Sequence, residues 1–261
     1  MTKLTRRQIE DHLAVMGYIK LQSQDLQGVD LSGINLGGAN LSGANLSRAN
    51  LNRAILVDAF LIDADLSYAN LAGADLSEAE LSGTVNLSHA DLRGAKLEGA
   101  DLAGVNLTHA KLSGADFSRA ILNDANLDQA LLASTDLLEG ANLNRANLTG
   151  ANLFQVDLSG TNLRGSDLSR ANLSQAKLIN ADVRRANLSE ANLSRANLKN
   201  ADLGRADLRG ANLKGADLST SILRGAELTD ALYDGQTKWP KGLMADIAGA
   251  IADDTDEPSS K

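Results

Sequence analysis

From Asp25 to Asp230 a leucine, or one of its few substitutes, returns every fifth residue, flanked by Ala two residues before it and Asn or Asp immediately before it. Five steps of about 100° advance about 140°, so an α-helix would scatter these leucines around its circumference and bury none of its faces. In an extended segment, positions two apart share a face, so Ala and Leu point one way and the Asn or Asp between them points the other. Five is odd, however, and strict alternation would turn every second leucine outward. The chain must therefore bend once per repeat, at the two residues after Leu, which are commonly Ser-Gly or Ser-Arg. Stacked bends of this kind predict a polygonal solenoid with leucines inside.

Repeats such as Ala39-Asn40-Leu41-Ser42-Gly43 and Ala216-Asp217-Leu218-Ser219-Thr220 resemble the pentapeptide-repeat family, and the likeness covers about four fifths of the chain. That resemblance implies an all-β fold, a right-handed quadrilateral parallel β-helix with one repeat per side and four per coil. The periodicity alone gives the bend but not the number of sides.

Leucine-type centres run from Leu26 to Leu81 in twelve repeats, from Leu87 to Leu137 in eleven and from Leu143 to Leu228 in eighteen, 41 in all. At four per coil this is about ten coils, and stacking at about 4.8 Å gives a rod roughly 50 Å long. Two one-residue slips interrupt the register, at Leu81-Ser82-Gly83-Thr84-Val85-Asn86-Leu87 and at Leu137-Leu138-Glu139-Gly140-Ala141-Asn142-Leu143. Each reads as a corner bulge that bends the rod without ending it.

Unpaired strand edges at the ends of such a rod need covers. Thr5-Arg6-Arg7-Gln8 fits a capping box, with Leu4 and Ile9 at the staple positions and Ile9, Leu13 and Met16 at helical spacing, which predicts a capping helix over residues 6–16. At the other end Tyr233 through Leu243 resembles the closing segment of bacterial, especially cyanobacterial, members of the family, with Trp239 as the lid of the last coil. The expected organisation is therefore a cap over 1–20, the β-helix over 21–232, and a C-terminal cap with an acidic tail over 233–261.

Composition narrows the function classes. The chain is 43% hydrophobic but only 3% aromatic, so its core is narrow and layered, with no evident small-molecule pocket. Most carboxylates stand in the repeat position before Leu, where they alternate with Asn as a solvated ladder and do not form an acid and base pair. Gly37-Gly38 lacks the strand-then-helix context of a phosphate loop. No catalytic residues, cofactor or metal are expected, and the chain reads as a non-enzyme. His89 and His109 fall twenty residues apart and are expected to stack, but with no carboxylate or third histidine in their column no metal is assigned to them. No run of 18 apolar residues and no leader-like apolar stretch occurs, so a cytoplasmic protein without membrane association is expected. The absence of cysteine excludes disulfides without deciding the compartment.

The formal net charge of −8 is unevenly spread. Residues 21–81 hold two basic and eight acidic residues, 82–142 hold four and eight, and 143–230 hold twelve and nine. Folding the last section into twenties places Arg145, Arg164, Arg184, Arg185, Arg205 and Arg224 on one side, with Asp182 and Asp202 among them. This stripe suits an acidic protein partner, the acidic half of another copy or, weakly, a polyanion, or else its arginines are paired with and neutralised by neighbouring Asp and Asn; direct nucleic-acid binding is not expected. A second feature is apolar: Ile55, Val57, Phe60 and Ile62 take outward positions on two adjoining sides, as a contact surface or, alternatively, in a distorted coil that turns Phe60 inward. Ile121, Leu131, Leu138, Phe154, Ile179 and Ile222 are more scattered outward apolar positions.

Two functional classes follow. One is a non-catalytic structural or protein-binding solenoid, whose partner the sequence does not name. The alternative, implied by the resemblance, is a DNA mimic that inhibits a type II topoisomerase (DNA gyrase). Charge density counts against it: duplex DNA carries about one charge per 1.7 Å, so the roughly 29 Å of coils in residues 21–142 would need about 17 negative charges. Those residues carry sixteen acidic and six basic side chains, a net −10, and the coils beyond them are net positive.

Overall fold

The computed structural model describes residues 4–16, 21–132, 138, 140–243 and 249–253. Parallel bridges join each repeat to the one twenty residues later, as in Asp25 to Asn45, Asp30 to Asn50, Asn35 to Ile55 and Asn40 to Phe60, so four pentapeptides complete one turn of a parallel β-helix. We number the four sides in the order of these bridges. The Leu46 N–H donates to the Asp65 carbonyl at 2.7 Å, and the Asp65 N–H donates back to Ala44 at 3.0 Å. Repeated on every side, this pair satisfies the backbone between coils, and only one bridge per side fits before the chain turns.

The corners follow from the same five residues. The N–H of Ala49 donates to the Leu46 carbonyl at 2.9 Å, closing a turn whose third residue, Arg48, has φ of 60°. Non-glycine residues recur in this left-handed state at the second position after leucine, for example Asp58, Arg119 and Arg195. Strain of this order is tolerated because the flanking bonds over-determine it. The residue before leucine assists: Asn45 Oδ1 accepts the Ser47 N–H at 3.1 Å, an Asx turn that braces the corner. Between coils, Asn70 Nδ2 donates to Asn50 Oδ1 at 3.1 Å, so the outward asparagines also bond along the rod.

Leucines and alanines fill the interior, nearly all fully buried from Leu26 to Leu218. Among the departures, Ile34, Val85, Val105 and Val156 take alanine positions and Val183 a leucine position. Thr161 and Ser166 take alanine positions, their hydroxyls donating to the Leu158 and Leu163 carbonyls at 2.7 Å, and Phe117 replaces a leucine while remaining fully buried.

At the first slip, bridges lengthen from twenty to 21 residues, as in Asp65 to Asn86, and Asp63 accepts both the N–H of Thr84 at 2.9 Å and its hydroxyl at 2.8 Å. The bulge is thus tied to the coil before it. The second slip lies elsewhere than the sequence reading put it. Leu138 is fully buried and stands 21 residues after Phe117, so it is an inward centre and not an outward apolar residue, and the added residue falls between Leu132 and Leu138. Adjacent leucines at 137 and 138 made the register ambiguous; Leu137 and Glu139 lie outside the described residues. A third slip escaped the sequence reading: Asp217 bridges Lys238, 21 residues on, across the Asp234–Thr237 turn.

Helix α1 spans Arg6–Met16. Gln8 Oε1 accepts the Thr5 N–H at 2.9 Å, and Ile9 is fully buried against the core while Leu4 packs half-buried beside it. Arg6 donates to the Ser32 carbonyl at 3.0 Å, tying the helix to the first coil. Replacing Ile9 with Ser is expected to loosen this contact, accelerating hydrogen exchange of the Leu21 and Leu26 amides about tenfold or more while amides of the central coils are unaffected. At the other end strand β1 (Leu232–Tyr233) pairs in parallel with strand β2 (Ile251–Ala252). Trp239 takes the leucine position after Lys238, half-buried and edge-on to Tyr233 at 5.7 Å. The acidic stretch from Asp254 onward lies outside the described residues.

Candidate functional site: a charge-segregated corner

The bridge series Asn40, Phe60, Glu80, Asp101, Ile121, Asn142, Asn162, Asp182, Asp202, Ile222 runs unbroken along the fourth side. The six arginines stand at the corner that follows it. Arg164, Arg184 and Arg224 are one residue past the inward centre, and Arg145, Arg185 and Arg205 two past it; all six are exposed. The alignment follows from arithmetic, because twenty residues separate equivalent positions throughout this part of the chain.

Two of the six are paired within the chain. Arg145 bonds Asp124 at 2.7 Å, and Arg184 bonds Asp182 through Nε at 2.7 Å with Asp202 at 3.7 Å. The Arg145 guanidinium, assisted by Asn123, holds the Asp124 carboxyl below its ordinary range, and Arg184 does the same for Asp182 against the opposing effect of burial. Arg164, Arg185, Arg205 and Arg224 make no ion pair among the described residues, so the reading in which neighbouring aspartates neutralise the stripe holds for only part of it.

Glycines shape the space between these side chains. Arg164, Arg184, Arg185, Arg205 and Arg224 line a hollow of about 640 Å³ floored by Gly204, Gly225 and Ile222, and a second hollow of about 650 Å³ continues it toward Arg145. A Cβ at Gly204 would stand 3.0 Å from Asp202 Oδ1, a tight approach, and in ordinary contact with Arg184 Cγ at 3.6 Å. The result is an open groove lined by arginines, with Asp182 and Asp202 among them, suited to carboxylates and other oxyanions.

The apolar group falls on the third and fourth sides. Ile55 and Phe60 keep full bridge register and are exposed, 42% and 39%, while Val57 and Ile62 are half-buried beside them. Phe60 therefore points outward, and the coil is not distorted around it. Ile121 and Ile222 share the fourth side with Phe60.

His89 and His109 do stack, with ring centroids 4.9 Å apart, but the column is longer than the sequence reading had it: Tyr68 lies 4.6 Å from His89 and nearly parallel, with the Arg48 guanidinium 5.4 Å above Tyr68. No group of three or more potential metal ligands occurs among the described residues. Nor is any helix among them long and apolar enough to cross a membrane.

The geometry defines a parallel β-helical repeat protein, and the comparisons name its class. Eight overlapping windows between residues 25 and 231 match the pentapeptide-repeat pattern. HetL, a pentapeptide-repeat protein involved in heterocyst differentiation regulation from the cyanobacterium Nostoc sp. strain PCC 7120, is 37% identical, with 92% of this chain and 99% of HetL covered and a TM-score of 0.41. Rfr23 from the cyanobacterium Cyanothece 51142 is 36% identical over 55% of this chain and 90% of its own, with a TM-score of 0.35. QnrB1, a plasmid-mediated fluoroquinolone resistance protein, is 20% identical over 90% and 92%, with a TM-score of 0.21. Among curated proteins there is no match. The chain belongs to the pentapeptide-repeat family, and its fold is accordingly a right-handed β-helix.

Proposed function

We propose that this protein is a non-catalytic, cytoplasmic binding rod of about ten coils, capped by α1, that presents the corner of its fourth side to a protein partner. The segregated arginine groove carries this reading. On the other sides many basic residues are neutralised along the ladder, as in Lys96 with Asp75 at 3.3 Å, Lys177 with Asp157 at 3.1 Å and Arg170 with Glu190 at 2.9 Å, while Arg48, Arg53, Lys111 and Arg195, without an ion pair among the described residues, do not line up as an unbroken run of coils. At the fourth corner four guanidinium groups are left to be met by carboxylates from outside the chain. Phe60, Ile62, Ile55 and Val57 supply an apolar contact beside the same corner, and exposed apolar groups of this kind mark interfaces. The likeness to QnrB1 is one of fold, and a side that ends in arginines does not imitate a uniformly anionic duplex.

Affinity capture from the native cell tests the reading, comparing wild type with a variant in which Arg145, Arg164, Arg184, Arg185, Arg205 and Arg224 are all replaced by Glu. The variant is expected to keep the β-helical circular dichroism spectrum and to lose captured protein at least tenfold. An unchanged captured set would overturn the assignment of the corner.

A further inference from the structure

We propose that the fourth corner pairs with the same corner of a second copy, the two rods lying antiparallel about a two-fold axis; this rests on the reading of that corner as a protein-binding surface. The observation is the order of charges along the corner. Starting from the boundary between the Ile121 and Asn142 coils and moving toward the N-terminus, successive coils present Asp124, Asp101, Glu80 and Asp63. Moving toward the C-terminus, they present Arg145, Arg164, the Arg184 and Arg185 pair with Asp182 beside it, and Arg205 with Asp202 beside it. Four coils whose charges at this corner are all acidic are followed by four that each expose arginine.

A two-fold axis at that boundary superposes the nth coil on one side with the nth coil on the other side of the partner. Asp124 then meets Arg145, Asp101 meets Arg164, Glu80 meets Arg184 and Arg185, and Asp63 meets Arg205, each twice. Within a single chain the two blocks touch at their boundary, where Asp124 bonds Arg145, and inside the basic block Arg184 is met by Asp182 and Asp202. Glu80 and Asp101 make no ion pair among the described residues, and neither do Arg164, Arg185 and Arg205. An isologous interface is self-complementary in this way, whereas a heterologous partner would have no reason to require both blocks.

Shape agrees with charge. Phe60 stands exposed on the fourth coil from the axis, with Ile62 half-buried beside it. Gly204 stands on the fourth coil in the other direction, with Ile222 and Gly225 on the fifth, and these floor the hollow of about 640 Å³. The axis that pairs the charges therefore seats Phe60 over the gap that the glycines leave. Eight coils span roughly 38 Å, and a strip about 20 Å wide along them covers roughly 800 Å² per protomer, the area of a standard stable interface.

The test is mass in solution by sedimentation equilibrium at low ionic strength. Wild type is expected at twice 27.3 kDa, with the dimer weakened about tenfold or more between about 0.05 and 0.5 M salt. One variant carries Glu80→Lys and Asp101→Lys, shifting the corner by four charges toward basic; Lys96, Lys111 and Lys177 already occupy the same repeat position. A second carries Arg164→Glu and Arg185→Glu, shifting it by four charges toward acidic. Each alone should sediment at 27.3 kDa, and an equimolar mixture should recover the doubled mass as a heterodimer. A monomeric wild type at high concentration, or a mixture of folded variants that stays monomeric, overturns the pairing; the capture experiment reads other proteins and is decided separately.

Orientation is read with single cysteines, since the chain has none. Asn123→Cys, beside the axis, should link to itself with a short bis-maleimide, whereas Ser42→Cys should not. Linking at both positions would mean parallel rods and would overturn the two-fold.

Discussion

Replacing Phe117 with Ala is expected to destabilise the rod by about 3 to 5 kcal/mol, while Phe117→Leu costs less than about 1.5 kcal/mol. Phe117 is the largest fully buried side chain, and it takes the place of a leucine between Leu97 and Leu138 on the third side. Coils above and below are held by backbone bonds such as Leu97 N–H to the Asp116 carbonyl at 2.7 Å, so the lattice cannot collapse freely into the void. Leucine restores the filling used by neighbouring coils. A whole domain of this size is stable by about 5 to 15 kcal/mol, so the alanine variant loses a substantial share.

The loss should also be local. In a solenoid each coil touches only its neighbours, and a weak coil near the middle divides the rod into halves that unfold separately. Trp239, the single tryptophan, reports the C-terminal end. Urea unfolding followed by its fluorescence and by far-ultraviolet circular dichroism should coincide in wild type and separate in the alanine variant. Coincident curves in both would show that the rod is more cooperative than nearest-neighbour stacking allows.

Acid should unfold the protein between about pH 4 and 2. Burial alone would raise the pKa of Asp217, but bonds from the hydroxyl and N–H of Ser219, then from Lys238 and Lys199, prevail and lower it to about 2. Asp75 and Asp157 are lowered in the same way, by Ser77 with Lys96 and by Ser159 with Lys177. Asp91, Asp182 and Asp207 are lowered foremost by Arg93, Arg184 and Arg209. Unfolded aspartate titrates near about 3.9. A group depressed in the folded state contributes its stabilisation fully above that value and loses it as the pH falls toward the folded pKa. The urea midpoint should therefore vary little between about pH 7 and 5, fall steeply below about pH 4, and fall less steeply in Asp217→Asn. A midpoint that rises on acidification would contradict the assigned roles of these carboxylates.

Much of the corner could be read from sequence because a constant interval of twenty converts position into column. Arg164, Arg184 and Arg224 align by that interval alone, as do Arg145, Arg185 and Arg205 one residue further on. The acidic half did not align so readily, since the slip after Leu81 changes the interval to 21 and hides Asp101 and Asp124 from the column of Asp63 and Glu80. Tyr68 was missed as the neighbour of His89 for the same reason.

The five-residue period determined the rest without help. It requires a turn per repeat, places Leu and Ala inside, and puts Asn or Asp where its carbonyl or carboxylate can brace the corner, because each of these depends only on neighbours within one repeat. What the tertiary structure decided depends on neighbours a full coil away. It set which of Leu137 and Leu138 is the inward centre, since only stacking on Phe117 distinguishes two adjacent leucines. It kept Phe60 outward, since the bridges to Asn40 and Glu80 hold its coil in register. It also showed which arginines lack a counter-ion within the chain, since a guanidinium finds its carboxylate across coils and the one-dimensional pattern does not record how far a side chain leans along the rod.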